Sequence, residues 1–475
     1  MTLPRIIVLA VLVGTAISPS LFAQTAGVPA DTVRVDVAKA VELALSNNTG
    51  LESARIDIAM KERKIDTQWN VFVPSVDVGL TLARMNEATT AGGVAPVGAF
   101  TTVGGMKIYD SVAAYSVEVP QWSLSTSLSA SLTLNYALFE AMRNLRLDLD
   151  AGKITLEQAK FKLERDVRKS YYSILLLKEN IALMDENLVA ALRRVTQAEA
   201  NYRAGFVPEL TVLQAKVASE NLKPAIAELK NGLESSLAAF AMNLGYPRGT
   251  KVELEGFGAG DFAGVDLDGD ALVARAASGK LDVLALRQSL LLLESAKKLT
   301  WYQLYTPSLT LGFNVDPTLS DPWGNSWFEG DNWKQRSGML RMTLGFRLNG
   351  LLPPSKEALG LVDLDDNVRK LNAALALTIR GSELEIDSLL LKLAKSKSGI
   401  ATLGLNVELA GKAYSLSEEA YRAGAKDILD VQNQELELRK AQLEVLKEKF
   451  NYLTGLIDLE YAVGVPFGTI SGSAK

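Results

Sequence analysis

The chain contains no cysteine and no histidine. The first absence excludes disulfides, thiol nucleophiles and a lipid-bearing cysteine behind a leader. The second removes the commonest general base and metal ligand. No catalytic constellation of other residues stands out, so no enzymatic activity, cofactor or metal site is expected. Past the leader, no stretch of about 18 apolar residues is free of charge, which excludes a membrane-spanning helix. A chain seated in a membrane must then use a closed barrel or a surface helix. A net charge of −5 over 475 residues is too weak to suggest nucleic acid as a partner.

What is present begins with a secretory leader over residues 1–23. Arg5 supplies the positive charge, Ile6 to Ile17 the short apolar run, and Phe22-Ala23-Gln24 the cleavage point. The mature chain repeats itself. Tyr202-Arg203-Ala204-Gly205 recurs as Tyr421-Arg422-Ala423-Gly424, and Leu244-Gly245-Tyr246-Pro247 as Val463-Gly464-Val465-Pro466, both at the same offset. Leu210 with Leu429 and Val212 with Val431 keep that offset. Ala44 to Pro74 resembles Ala276 to Pro307 with one inserted residue. The expected organisation is a first repeat over 24–250, a linker over 251–270, and a second repeat with a C-terminal equatorial segment over 271–475. Each repeat reads as short helix, strand, loop, strand, very long helix, tight turn and long helix.

Four segments alternate strictly. Val76, Val78, Leu80 and Leu82 interleave with polar or small residues after Pro74, as do Leu124 to Leu138, Leu309 to Val315, and Leu340 to Leu348. Period two gives each strand one apolar and one polar face. That pattern fits both membrane-barrel strands and a half-exposed sheet in a soluble protein. The leader, together with Trp122, Trp323, Trp327, Phe328 and Trp333 at the strand ends, favours the membrane. Four strands cannot close around an interior, and lipid does not tolerate open edges. A barrel shared by three chains, with about twelve strands, satisfies both conditions.

Ala141 to Arg203 holds no proline and only Gly152 as a breaker, enough for a helix of about 95 Å. A heptad runs along it through Val167, Ile174, Ile181, Leu188, Val195 and Tyr202, with Leu163, Ser170, Leu177, Met184, Ala191 and Ala198 as its companion. Ser355 to Arg422 repeats the element. Gly205 and Gly424 are placed to end the two helices, and Pro224 is placed to kink the first return helix. An ordinary bundle core also explains the heptads locally. It does not explain strands and very long helices alternating twice in a secreted chain.

Taken together, these residues resemble the TolC family of outer-membrane efflux proteins, from about Val37 to Pro466. The family's tyrosine, glycine and Asp-Val-Leu-like segment with its glutamine reads here Tyr421-Arg422-Ala423-Gly424-Ala425-Lys426-Asp427-Ile428-Leu429-Asp430-Val431-Gln432-Asn433. Its first copy runs from Tyr202 to Gln214. Leu138-Phe139 resembles the family's Leu-Phe before the long helix.

The resemblance implies a mixed α and β membrane protein. It is a homotrimer with a twelve-stranded transmembrane β-barrel, continued by a periplasmic α-helical barrel with an equatorial collar. It implies an outer-membrane channel of a tripartite efflux or type I secretion system, whose partners are a periplasmic adaptor, an inner-membrane transporter and outer-membrane lipid. Tyr202, Arg203, Gly205, Tyr421, Arg422 and Gly424 fall at the adaptor-docking tip, and Thr211, Lys426, Asp430 and Asn433 at the periplasmic aperture. Thr211 stands where the family commonly has an acidic residue, and Asn433 where a second aspartate can occur. A coiled-coil scaffold or adhesin that does not conduct is the alternative. A free-standing porin is a further one, but porins lack such helices.

Overall fold

The structure is a computed structural model that describes residues 33–87, 89–256, 268–352 and 355–470; the leader and its cleavage point lie outside the described residues. The first half runs β1 (Val33–Val35), α1 (Val37–Asn47), α2 (Thr49–Asp66), β2 (Ser75–Arg84), β3 (Thr89–Val103), β4 (Met106–Val119), β5 (Trp122–Asn135), α3 (Ala137–Arg203) and α4 (Glu209–Asn243). The second runs β6 (Val252–Leu254), α5 (Gly269–Gly279), α6 (Leu281–Tyr305), β7 (Ser308–Val315), β8 (Thr318–Ser320), β9 (Trp333–Lys334), β10 (Met339–Gly345), α7 (Lys356–Arg422) and α8 (Ile428–Val463).

The duplication extends to single hydrogen bonds. Asp36 caps α1 by accepting from the Lys39 amide, and Asp268 caps α5 by accepting from that of Ala271. Arg55 on α2 reaches the carbonyl of Leu45, and Arg287 on α6 that of Ala277, the matching position. β1 and β6 then join the halves as a parallel pair in which Arg34 meets Glu253.

α3 and α7 are 67 residues each, about 100 Å at 1.5 Å per residue. The heptad of α3 is its buried seam: Val167, Ile174, Ile181, Ala191 and Ala198 are all buried. α4 continues through Pro224 without ending. Near mid-length, α1, α2, α5 and α6 pack against the long helices. The core there is built from Val35, Ala40, Tyr171, Leu175, Phe240, Leu244 and Ile457 on one side, and Ile386, Leu393, Leu456 and Leu459 on the other.

The main sheet has the order β2-β5-β7-β10, antiparallel throughout, with β8 and β9 extending it beyond β7. The predicted alternation overshoots at two ends. Tyr136 and Leu138 belong to the start of α3, and β10 stops at Gly345, short of Phe346 and Leu348. Where sequence suggested a loop between β2 and β5, β3 and β4 form a separate two-stranded ribbon with a turn at Gly104-Gly105. Glycine, alanine and threonine dilute the alternation there, which hides the strands.

Candidate functional site

Two regions carry the functional geometry: the sheet at one end and the helical tips at the other. In the sheet, Asn135 pairs with Ser308, which pairs with Gly345. Ser308 and Ser75 follow the ends of α6 and α2, while α3 starts just past Asn135, so every helical connection leaves from the same edge of the strands. Among the described residues, no helix packs across the sheet. Val76, Val78, Leu80, Leu340, Met342 and Leu344 lie exposed on one face, and β2 and β10 each have one unpaired side. The opposite face is hydroxyl-rich, with Ser125, Ser127, Ser129, Ser131 and Thr133 in succession along β5. Among the described residues, no helix is long and apolar enough to cross a membrane.

Aromatic side chains stand at both ends of the strands. Far from the helices, Trp122 packs edge-on against Trp323 at 6.1 Å, Arg84 lies over the Trp122 ring, and the Trp333 indole donates to the Trp327 carbonyl. Near the helices, Tyr136 packs against Tyr302 at 4.7 Å and Trp301 against Tyr305 at 5.4 Å, with Trp69 exposed beside Phe72. The sequence reading found the first belt and missed the second. Its residues are scattered over the turn after α2, the start of α3 and the end of α6, and only folding collects them.

At the far end, both long helices stop in the same motif. Gly205 (φ 75°) donates to the Tyr202 carbonyl, and Phe206 to that of Asn201; Gly424 (φ 72°) donates to Tyr421, and Ala425 to Ala420. This double bond with a left-handed glycine satisfies the last carbonyls of each helix and reverses the chain. The two turns are packed together: Ala198, Val212, Ala215 and Ile428 form a small core with Val195 and Tyr421. Burial pushes the Tyr421 phenol upward from its ordinary value. Tyr202, Arg203, Gly205, Arg422 and Gly424 are exposed, as are Phe206, Leu210, Leu213 and Val217 along the outer side of α4.

The aperture residues do not behave as one group. Asp430 and Asn433 are exposed one turn apart on α8. Thr211, the repeat equivalent of Asp430, is buried beside Val212 and offers no surface. Four-residue spacing would let Lys426 pair with Asp430 on a continuous helix, but that pairing does not form. Lys426 precedes Asp427, the cap of α8, so the four residues do not span a helical turn, and its ammonium lies 3.4 Å from the Ser417 hydroxyl.

A feature absent from the sequence reading lies just above the tips. Arg194 of α3 and Arg439 of α8 both pair with Glu435 of α8; the Arg439 contact is 3.0 Å. Arg194 and Glu435 are buried, and the group borders a cavity of about 360 Å³ between the two hairpins. The Glu435–Arg439 spacing of four was legible in sequence; the long-range partner was not.

Residues 40–245, from within α1 to the glycine that ends α4, match the family model described as outer membrane efflux protein. Over this stretch the chain is similar to outer membrane efflux proteins. Solved channels share its fold over nearly the whole length. The chain superposes on CusC with a TM-score of 0.68 at 16% identity, covering 92% of this chain and 94% of that one. It superposes on the CmeC outer membrane channel of Campylobacter jejuni with a TM-score of 0.67 at 14% identity, covering 92% and 87%. For VceC of Vibrio cholerae the values are 0.65, 16%, 91% and 96%. No curated protein matches the chain by sequence.

Proposed function

We propose that three copies of this chain form an export duct in the outer membrane, passing substrates from a periplasmic adaptor and an inner-membrane pump to the outside. The observation that carries the reading is the sheet: one uncovered aliphatic face, one hydroxyl-rich face and two unpaired edges, with aromatic belts at both ends. Open edges are not viable in hydrocarbon, so β2 of one copy pairs with β10 of the next, and three copies close the ring. Lipid covers the aliphatic face, and the serine track lines water. The helices extend the lumen into the periplasm. Along α7, Leu377, Leu384 and Leu391 repeat at heptad spacing yet stay exposed in one chain, a seam that awaits a helix of the next copy.

The paired turns at Gly205 and Gly424 are the adaptor-docking tip in this reading, with Phe206, Leu210, Leu213 and Val217 as an apolar ridge for the adaptor. Asp430 and Asn433 face the aperture on the inner hairpin, where three-fold symmetry makes a ring of three carboxylates. Single-channel recording of the purified protein in planar bilayers tests the duct. Stable conductance is expected; an electrically silent trimer would leave the non-conducting scaffold instead.

A further inference from the structure

The β3–β4 ribbon has no role in the duct as described. It pairs Thr89–Val103 with Met106–Val119, stands beyond the β2–β5 end of the sheet, and among the described residues no other element packs extensively along it. A lone two-stranded ribbon is marginal in water, and its outer edges invite pairing. β3 carries no charged residue at all.

The two faces of the ribbon differ in kind. One holds Phe100, Lys107, Tyr109 and Tyr115. There the Lys107 ammonium lies 4.5 Å over the Phe100 ring, Phe100 and Tyr109 are 5.6 Å apart, and the Tyr115 ring covers Gly93. That face is packed on itself and ends in polar groups. The other holds Val94, Pro96, Val103, Met106, Ile108 and Val112, all exposed and none covered. Its one charge among the described side chains is Asp110. It sits opposite the register shift between Val97 and Phe100, where a bulge bends the ribbon.

Position says what covers the aliphatic face. β3 follows β2 after a short connection, and β2 is the edge that pairs with the next copy, so the ribbon is rooted at the seam between copies. A twelve-stranded barrel has a radius of about 12 Å, from strands about 4.8 Å apart tilted by about 40°. The ribbon is about 45 Å long at roughly 3.3 Å per residue. A lean of about 15° brings its tip to the axis.

We propose that the ribbons of the three copies pack on the three-fold axis through these aliphatic faces, forming a cover over the outer mouth of the barrel. The proposal rests on the trimeric duct. Each ribbon lends the others the apolar partner it lacks, and Asp110, at the bulge, can turn its carboxylate to water at the side of the contact. Matter leaving the barrel then passes between the ribbons or parts them.

The chain's lack of cysteine allows a direct test. Met106→Cys and Val112→Cys, each labelled with a nitroxide in the full-length protein in lipid nanodiscs, report the distance between copies by electron–electron resonance. Packed ribbons give a single distance below ~15 Å at both sites, shorter than the roughly 21 Å that separates three-fold copies standing upright on the barrel wall. Light scattering on the same samples counts the chains. Three chains with distances of about 20 Å or more, constant or growing towards the tip, overturn the cover and leave the duct standing. Any count other than three overturns both.

Discussion

At Gly205 and Gly424 an added side chain would meet no atom within 4 Å. Crowding is therefore not what requires glycine there; the positive φ is, since a β-branched residue is an outlier in that region. Gly424→Val is expected to cost about 1–2 kcal/mol locally and unwind the turn. The trimer should persist, because the turn lies far from the sheet and the equatorial core. Export in a deletion strain should fail with Gly424→Val and recover with Gly424→Asn, since asparagine tolerates the left-handed region. Normal export by the valine variant refutes the placement of the docking tip. Asp430 invites a different measurement. A carboxylate ring at a narrow opening concentrates cations. Asp430→Ala is accordingly expected to lower cation selectivity and weaken block by multivalent cations in bilayer recordings, and unchanged currents would turn the carboxylate away from the pore. Lys426 is held at Ser417 rather than at Asp430, which sharpens the expected effect.

The two hairpins, α3–α4 and α7–α8, are joined near their tips by little apolar surface and one ionic group. Arg194 and Arg439 compensate each other's access to Glu435, and burial makes that arrangement costly to break. Glu435→Ala leaves two cations without their acid, and roughly 3–5 kcal/mol of local stability should be lost. Hydrogen–deuterium exchange should rise in α8 and in α3 around Arg194 while the equatorial core stays protected. Equal protection in variant and parent would show that the group holds nothing. Replacing the charges by apolar residues of similar volume, Arg194→Met with Glu435→Leu and Arg439→Leu, should restore protection, since well-packed hydrophobic residues commonly replace buried ion groups without loss. The lengths of these helices could be read from the sequence because breakers are absent and heptads persist. The ribbon could not, because β3 is built of small and uncharged residues whose alternation carries no contrast.

For the whole molecule, the decisive quantity is the number of chains. A single copy leaves the strand aliphatics, the α7 leucines and two sheet edges uncovered, more apolar surface than a lone soluble chain tolerates. Native mass spectrometry in detergent should find three chains, and a stable monomer would sink the shared barrel. The sequence by itself determined the repeat, the strand faces, both 67-residue helices and the glycines that end them, since each follows from local periodicity or from a conformation only one residue type adopts at low cost. It determined the absence of thiol and imidazole chemistry by composition alone. Only the tertiary structure decided that Thr211 is buried while its repeat equivalent Asp430 is exposed, that Lys426 turns to Ser417, that Arg194 meets Glu435, and that Trp69, Tyr136 and Trp301 form a second belt. Those outcomes depend on which helix faces which across hundreds of residues of chain. A one-dimensional pattern repeated in both halves cannot distinguish the inner copy from the outer one; packing one hairpin against the other does.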